Sequence, residues 1–253
     1  MEKELSQLIH FVREHPTARL YAEKWGTETA FESLPAVSRK ELACAPMASR
    51  RYKEGGGMAR VLRDADGPLL IEWSYADIAA EPYGVPAARP LVYFADPGES
   101  LTAAAWCYEH NMVPLIGEQN AAVVVRAAEA YQVDALLCDG RSLTALEPYL
   151  TERRAPLESI SVVDTSFSSG ALSAARYAKR VRLVLALPET GAFAESSPDT
   201  YPTFSVLPGC MVEEDDGLIL TKVAHLVTPV IRYRTGLRGL PGKKNGTQTF
   251  ALA

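Results

Sequence analysis

"PLVYFADPGESLTAAAWCYEHNMVPLIG", residues 90–117, combines two strand patterns and one helical pattern in a single stretch. Residues 90–95 and 113–117 are apolar runs of the length typical of strands, and residues 100–111 form a helical pattern between them. A strand, a helix and a strand in this order predict a right-handed βαβ unit, whose two strands run parallel. The stretch therefore favours the α/β fold class.

The same alternation extends on both sides of this stretch. Predicted strands cover residues 68–73, 134–139, 159–165 and 181–187, and predicted helices cover residues 121–132 and 142–152. The last of these strands, "VRLVLAL", is apolar throughout, as expected for a strand that is covered on both faces. The pattern predicts a mostly parallel sheet, rich in βαβ units, with helices packed on it.

The chain begins with an amphipathic helical pattern. Leucine, isoleucine and valine recur at helical spacing in residues 5–12, and Pro16 ends the pattern. In "LPAVSRKEL" (34–42), Ser38 is followed three positions later by Glu41, which is the spacing of a capping box. We expect Ser38 to cap a second, short helix.

After residue 188 the chain is rich in turn-forming residues that separate short strands. This pattern predicts a β meander or a small distorted barrel beside the parallel sheet. The expected organisation is an N-terminal helical segment (1–57), an α/β sheet subdomain (58–187) and a β-rich subdomain (188–253).

The composition limits the classes of partner. A chain of 253 residues with 47% hydrophobic content can bury a full core. The net charge of -5 comes from 26 basic and 31 acidic residues without long runs of one sign. Such a surface gives no electrostatic footprint for nucleic acid or for an anionic membrane, whereas small neutral or anionic ligands remain open.

Cysteine and histidine spacing gives no support for a metal site. The cysteines form no CxxC pair, so we expect buried free thiols at Cys44, Cys107, Cys138 and Cys210. Zinc-ligand spacing is also missing among His10, His15, His110 and His225. The opening residues lack a signal-peptide pattern, and no stretch reaches the roughly 18 apolar residues of a membrane span. We therefore expect a cytoplasmic protein.

Candidate site residues follow from the predicted sheet, because ligands bind beyond the carboxyl ends of parallel strands. The polar residues just after apolar runs are Asp96, Asp139, Ser166, Glu189, Thr190, Arg232 and Arg234. The two aspartates precede helices, where capping is the commoner role. The two arginines share one strand face at i and i+2, so anion binding and an ion pair with a neighbouring carboxylate both remain open.

Two further stretches are weaker candidates for phosphate binding. "EGGGMAR" (54–60) lacks the Lys-Ser/Thr of a P-loop, and we interpret it as a flexible loop. Ser168, Ser169 and Gly170 could bind a phosphate, although a plain loop is the favoured interpretation.

Four segments, in order, resemble one family. They are "HPTARLYAEKWG" (15–26), "LPAVSRKEL" (34–42), "LALPETG" (185–191) and "GLILTKVAHLVTPVIRYRTG" (217–236). Together they are similar to the N-terminal domain of phenylacetate-CoA ligase-like members of the adenylate-forming superfamily, the acyl-CoA synthetases. The resemblance is specific in residues 217–236 and weak in the middle of the chain.

The resemblance implies a set of ligand-binding candidates. A motif of the RYRTGD type gives Arg232, Arg234 and Thr235. A short motif whose threonine and glutamate contact AMP and magnesium gives Glu189 and Thr190, with Glu189 as the metal candidate, although the family order is threonine then glutamate. ATP or AMP, magnesium and CoA are then the expected cofactors if the activity of the family survives.

The phosphate loop of the family, of the form TSGTTGKP, has no full counterpart. In the family it precedes a strand that leads into a "YT..D" helix start, a position held here by "WSYADI" (73–78), and the preceding residues are "LRDADGP" (62–68). Only Gly67 and the proline after it match. Asp64 and Asp66 put negative charge where phosphate would lie, and two like charges ~4 Å apart repel by roughly 4 kcal/mol at an effective dielectric constant of 20.

Leu237 is the second departure. In the resembled enzymes this position holds an aspartate that accepts hydrogen bonds from the ribose hydroxyls, and a leucine side chain has no acceptor. A charge-assisted hydrogen bond contributes roughly 1.5–3 kcal/mol, so the substitution alone should lower adenosine affinity about ten- to hundredfold.

The third departure is at the C-terminal end. The resembled enzymes continue through a hinge into a small mobile domain whose lysine promotes adenylation, and this sequence stops at "TFALA" (249–253), about where the hinge would begin. We expect the C-terminal lid domain to be absent, and with it the catalytic lysine and the exclusion of water from the site.

Three functional hypotheses remain open. We favour a catalytically degenerate homologue, a pseudoenzyme, that binds a small carboxylate, an acyl ligand or a partner protein without making acyl adenylate. The second is an AMP-forming acid–CoA ligase, either active alone or completed by a separate chain, and the third is a structural or interaction protein without a ligand. Loss of the lid would expose Leu237 and Leu240, which favours a homodimer unless the chain's own tail, residues 241–253, covers them.

Overall fold

The structure is a computed structural model that describes residues 2–53, 57–62, 68–84, 88–117, 120–153, 155–223 and 227–253. The chain divides into two compact units. Unit 1 consists of Met1–Ala80, Pro188–Phe193 and Ser205–Ala253, and unit 2 consists of Glu81–Leu187 and Ala194–Phe204. Over the described residues, none of the helices combines the length and the apolar character that crossing a membrane requires.

The helices and strands follow one another in a mixed order. The α-helices are α1 (Glu2–Glu14), α2 (Leu20–Trp25), α3 (Arg39–Cys44), α4 (Met47–Arg50), α5 (Tyr75–Ala79), α6 (Pro97–Glu109), α7 (Ala121–Ala130), α8 (Gly140–Thr151) and α9 (Ser169–Ser173). The first seven strands are β1 (Gly57–Leu62), β2 (Leu69–Ser74), β3 (Pro90–Tyr93), β4 (Leu115–Ile116), β5 (Ala135–Cys138), β6 (Ser159–Asp164) and β7 (Val181–Leu187). The remaining strands are β8 (Gly191–Ser196), β9 (Thr203–Val206), β10 (Cys210–Glu214), β11 (Leu218–Lys222), β12 (Val230–Arg234), β13 (Gly239–Lys244) and β14 (Thr247–Leu252).

Unit 2 carries the predicted parallel sheet. Its strands pair in the order β7-β6-β5-β3-β4, and each of these pairs is parallel. Strand β5 lies at the centre, where Leu136 and Leu137 are fully buried. Helices follow β3, β4, β5 and β6 along the chain, as the alternating sequence pattern predicts. The α/β fold class and the mostly parallel sheet are therefore confirmed.

Aspartates begin the helices that follow β3 and β5. Asp96 accepts hydrogen bonds from the backbone N–H groups of Gly98 and Glu99 at 2.6 and 3.1 Å. Asp139 accepts one from the N–H of Ser142 at 2.6 Å. Both side chains satisfy amides that would otherwise lack a partner in the first helical turn. The capping role expected for the two residues is confirmed.

Unit 1 contains the smaller antiparallel sheets. Strands β10, β11 and β12 form a three-stranded meander, which confirms the pattern predicted after residue 188. Strands β13 and β14 form a hairpin, closed by Asn245 and Gly246 with φ angles of 49° and 82°. Two successive positive φ angles match the right-handed twist of a hairpin, which explains the Asn-Gly pair.

Two capping boxes begin short helices of unit 1. The Ser38 hydroxyl accepts from the N–H of Glu41 at 3.3 Å, and the Ser38 N–H donates to the Glu41 carboxylate at 2.8 Å, so the predicted box is confirmed. Ser74 and Asp77 exchange the same pair of bonds at the start of α5. The "WSYADI" stretch is therefore a strand that leads directly into a capped helix.

The interpretation of the glycine-rich stretch 54–60 as a flexible loop is wrong for the residues of it that the structure describes. Residues 54–56 lie outside the described ranges, but Gly57 begins strand β1, which pairs with β2. A Cβ atom at Gly57 would lie 1.9 Å from the carbonyl oxygen of Trp73. The glycine therefore permits a close approach of two strands, which the sequence pattern alone cannot distinguish from a loop.

Ser168 and Cys44 differ from the predictions made from the sequence. Ser168 is not in a plain loop, because its hydroxyl accepts from the N–H of Ala171 at 3.4 Å and caps α9. Cys44, expected as a buried thiol, is exposed at the end of α3, whereas Cys107, Cys138 and Cys210 are buried. Burial raises the pKa of the Cys107 thiol to about 12, which keeps it protonated and unreactive.

Candidate functional site

The four segments that carry the family resemblance have residues in unit 1, and they meet on strand β12, which belongs to the last of them. The Tyr21 hydroxyl, fully buried, donates to the Pro229 carbonyl and accepts from the Ile231 N–H at 3.1 Å. Val37 forms a parallel bridge with Tyr233. Segments 15–26 and 34–42 are therefore fixed to the strand that ends in the arginine motif.

The backbone of Val37 continues this pairing on either side of Tyr233. Its N–H donates to the Arg232 carbonyl and its carbonyl accepts from the Arg234 N–H, both at 2.8 Å. Both edges of β12 are thus occupied, one by β11 and the other by the residue before Ser38. Satisfied backbone bonds of this kind hold the side chains of the motif in defined positions.

Arg232 is directed into the protein. Its side chain is buried and donates to the carbonyl groups of Phe31 and Glu32, with the first bond at 3.2 Å. Its Nε lies 3.4 Å from the Glu213 carboxylate. The guanidinium also lies over the Phe31 ring, 5.8 Å from the centroid, a distance at which a cation is attracted to the ring face.

Arg234 lies on the surface and has different partners. It donates to the carbonyl and to the carboxylate of Asp215 at 3.0 and 3.1 Å. Arg232 is buried and Arg234 is exposed, and the positive φ of 47° at Arg232 together with the register shift after Leu220 in β11 interrupts the regular alternation of side chains. Of the two roles left open by the sequence, the structure contains the ion pair for both arginines.

Glu189 lies in the turn between β7 and β8, and its side chain reaches β12. One carboxylate oxygen accepts from the Tyr233 hydroxyl, and the other lies 3.3 Å from Nη1 of Arg39. The Glu189 side chain is only 7% exposed. The structure therefore places Glu189 against the residue between the two arginines, and both of its oxygens have partners within the chain.

Thr190 is held through its backbone by a residue that the sequence analysis missed. The carbonyl groups of Thr190 and Ala192 accept hydrogen bonds from Nζ of Lys222 at 3.1 and 3.0 Å. Lys222 is buried at the end of β11. A lysine two positions after the apolar run "LIL" (218–220) is an available sequence signal, because a buried cation needs acceptors that lie near it.

Thr235 and Leu237 form a turn that is bonded to β11. The Thr235 hydroxyl donates to the Leu218 carbonyl at 2.7 Å and accepts from the Leu237 N–H at 3.1 Å. The Leu237 carbonyl accepts from the Leu218 N–H at 2.8 Å. Leu237 thus contributes its backbone to the turn, and its half-buried side chain provides no acceptor.

Replacing Thr235 with valine tests the structural role of this hydroxyl. The substitution leaves the Leu237 N–H without its hydroxyl acceptor and removes one of two donors to the Leu218 carbonyl, which keeps the Thr235 N–H, so we expect a loss of about 1–3 kcal/mol in the free energy of unfolding. Urea denaturation measures this loss, with Thr247→Val on the exposed face of β14 as the matched control. Equal stability of the two variants would contradict the assignment.

Charges around β12 are balanced pairwise. Arg39, Arg232 and Arg234 each lie within 3.4 Å of a carboxylate. Burial raises the pKa of the Glu213 carboxyl, the Arg232 charge lowers it, and the charges of Glu32 and Asp215 raise it further. The arrangement is suited to holding the strand in place, because each cation of the motif is already neutralised.

Other predicted site residues lie elsewhere. Asp96, Asp139 and Ser166 belong to unit 2, and Ser166 is exposed in a bend after β6. Asp64, Asp66, Gly67 and His225 lie outside the described residues. Among the residues that the structure does describe, no group of three or more His, Cys, Asp or Glu side chains could hold a metal ion.

Comparison with solved structures identifies the fold. The chain matches an open conformation of 2-hydroxyisobutyryl-CoA ligase, solved with 2-HIB-AMP and CoA, at a TM-score of 0.75 and 14% identity over 99% of this chain and 72% of that one. It matches the amide bond synthetase McbA from Marinactinospora thermotolerans at 0.59 and 17% over 77% and 48%. For o-succinylbenzoate CoA synthetase from Bacillus subtilis, solved with ATP and magnesium, the values are 0.58 and 14% over 76% and 49%.

These similarities establish that the chain has the fold of the adenylate-forming ligases, as the four segments suggest. The chain spans about half the length of the second and third of these enzymes. No protein-family model matches the sequence, and no curated protein matches it.

Proposed function

We propose that this chain is a pseudoenzyme with the adenylate-forming ligase fold, which binds a small carboxylate or acyl ligand and does not make acyl adenylate. The observation that carries this proposal is the internal pairing of the arginine motif. Arg232 donates to two backbone carbonyls, Arg234 pairs with Asp215, and Thr235 closes a turn. Groups that are already bonded within the chain must lose those bonds before they can bind a nucleotide.

The residues do not fit AMP. Leu237 offers no acceptor to a ribose, and the oxygens of Glu189, the magnesium candidate, already accept from Tyr233 and Arg39. ATP or AMP, magnesium and CoA would therefore be cofactors of this chain only if the activity of the resembled enzymes survives. The three-part division of the chain at residues 57 and 187 remains a prediction from the sequence, as does a cytoplasmic location.

The ligand class rests on the solved structures with the same fold. The 2-hydroxyisobutyryl-CoA ligase was solved with 2-HIB-AMP and CoA, and a double mutant of the o-succinylbenzoate CoA synthetase was solved with its product analogue OSB-NCoA. Both ligands contain an acyl group derived from a carboxylic acid. These ligands support an acyl or carboxylate ligand as the class that we propose for this chain.

Thermal unfolding with ligands tests the proposed function. A ligand at 100 times its dissociation constant stabilises the folded state by ~2.7 kcal/mol, which raises the melting temperature by several degrees. We expect stabilisation by aryl or alkyl carboxylic acids and none by ATP, AMP or CoA. Stabilisation by ATP with magnesium would support a surviving ligase instead, and no response to any acid would support an interaction protein without a ligand.

A homodimer is a separate part of the proposal. Strand β14 pairs with β13, yet Leu240 on β13 remains 68% exposed, so the chain's own tail does not cover it. Reburial of an exposed leucine contributes roughly 1.5–3 kcal/mol, and a twofold copy is the commonest partner of a soluble chain. We expect light scattering to give about twice the chain mass of 27.5 kDa.

Leu240→Asp should convert the dimer to the monomer without lowering the melting temperature of the monomer. Val61→Asp is the matched control, because Val61 is also an exposed apolar residue on an outer strand, at 57% exposure. A wild-type mass of 27.5 kDa at micromolar concentration would exclude the dimer and leave a different partner protein as the occupant of this surface.

A further inference from the structure

Helix α1 forms one wall of a groove in unit 1 with a volume of about 640 Å³. Leu5 and Ile9 of the helix face Phe31 and Met211 across it. We call this feature the α1 groove. Apolar clefts of this size, with a small number of polar groups, are the usual form of a small-molecule site.

The two ends of the α1 groove carry opposite charges. Glu2 lies in the first turn of α1 and Arg13 in the last, and both line the groove. Eleven residues of helix separate them by about 16 Å. Leu5 and Ile9 occupy the same helix face between these ends, since residues at i, i+3, i+4 and i+7 share a face. The groove therefore has an apolar middle section on the helix, with a cation at one end and a carboxylate at the other.

Arg13 has hydrogen-bonding capacity that the chain leaves unused. Its Nε and Nη2 are buried and have no hydrogen-bond partner among the described residues. The guanidinium lies over the Trp25 ring, 5.6 Å from the centroid. This contact involves the flat face of the guanidinium and not its N–H groups. Nε and Nη2 form one edge of the guanidinium plane, and that edge matches the two oxygens of a carboxylate.

We propose that the α1 groove binds an acyl carboxylate, with the carboxylate on the Nε–Nη2 edge of Arg13 and the apolar chain along Leu5 and Ile9. The proposal takes its ligand class from the proposed function and adds the site. Buried donors without partners are rare in native proteins and need an explanation, and the two oxygens of a carboxylate would accept from both nitrogens. Because the Nε–Nη2 edge is covered, the proposal requires the half-buried Arg13 side chain to rotate toward the groove when a carboxylate binds.

Other charged groups line the groove and affect its selectivity. Glu32 is among them, and its carboxylate repels an anion. His10 lies one turn before Arg13 on the same helix and also lines the groove. Glu32→Gln should therefore tighten carboxylate binding, which a site for a cationic ligand would not do.

Isothermal titration with octanoate and with the neutral octanamide tests the site. We expect the wild type to bind octanoate more tightly than octanamide. Arg13→Met should weaken octanoate binding at least tenfold and abolish the preference for octanoate over octanamide. Lys3→Met is the matched control, because it removes a cation from an exposed position of α1 outside the groove, and its binding should equal that of the wild type.

Arg13→Lys shows whether weaker binding in Arg13→Met comes from the lost guanidinium or from misfolding. It keeps a cation over Trp25 but lacks the two-nitrogen edge, so we expect a wild-type melting temperature with at least tenfold weaker octanoate binding. Octanoate binding that is unchanged in both Arg13 variants would overturn the site and leave carboxylate binding elsewhere in the chain intact. Absence of octanoate binding in the wild type would also overturn the site, while the pseudoenzyme proposal is decided independently by pyrophosphate exchange.

Discussion

The isolated chain is expected to show no acid-dependent exchange of pyrophosphate into ATP with any aryl or fatty acid. Three independent features oppose this reaction. From the family resemblance, we expect Asp64 and Asp66 to add negative charge at the phosphate position, at a repulsion of roughly 4 kcal/mol, and Leu237 to lack a ribose contact that contributes roughly 1.5–3 kcal/mol. The arginine motif is paired within the chain. Since each 1.36 kcal/mol is tenfold in rate, the first two terms alone lower the rate by about four orders of magnitude.

Exchange is measured with radiolabelled pyrophosphate over a panel of acids, and an active acyl-CoA synthetase in the same buffer is the positive control. Leu237→Asp is the informative variant. Restoring one ribose contact should raise AMP affinity by about ten- to hundredfold without producing exchange, because the phosphate position remains acidic. Exchange above background from the unmodified chain would falsify the pseudoenzyme proposal.

Glu189→Ala is expected to lower the free energy of unfolding by about 3 kcal/mol. The substitution leaves the Arg39 guanidinium and the Tyr233 hydroxyl without the carboxylate that now accepts from both. Removing one member of a buried ion pair typically costs about 3–5 kcal/mol, and the 17% exposure of Arg39 places this pair at the lower end. The melting temperature should fall by roughly 6–12 °C for a chain of this size.

Glu14→Ala is the matched control for this experiment, because Glu14 is an exposed glutamate at the end of α1 and its removal should change stability by less than about 0.5 kcal/mol. A double-mutant cycle with Tyr233→Phe isolates the hydroxyl–carboxylate bond. If Glu189 serves to bind a ligand and not to stabilise the fold, its replacement should leave the free energy of unfolding unchanged or raise it. Unchanged stability of Glu189→Ala would contradict the structural role of Glu189 and leave it as a ligand-binding candidate.

The order of the elements could be predicted because it depends on local patterns. Continuous apolar runs such as 181–187 and a spacing such as Ser38 with Glu41 are sufficient to place a strand and a helix start. Asp96 and Asp139 could be assigned as caps for the same reason, since each capping bond joins the aspartate to a backbone N–H no more than three residues later.

The partners of the candidate site could not be predicted, because they depend on distant residues. Arg39 and Glu189 are 150 positions apart, and Tyr21 contacts Pro229 across 208 positions. The left-handed backbone of Arg232 also leaves no sequence signal, since arginine rarely adopts a positive φ angle. The sequence identified which side chains belong to the motif, and only their tertiary contacts reveal that those side chains bond to one another.

Titration calorimetry with AMP tests most directly whether the nucleotide site has been replaced by internal bonds. We expect no saturable heat for the wild-type chain at millimolar AMP, with detectable binding appearing only in Leu237→Asp. Saturable binding of AMP to the wild type with a micromolar dissociation constant, which corresponds to roughly -8 kcal/mol, would contradict the account, because the paired arginines and Leu237 leave no groups to supply that energy.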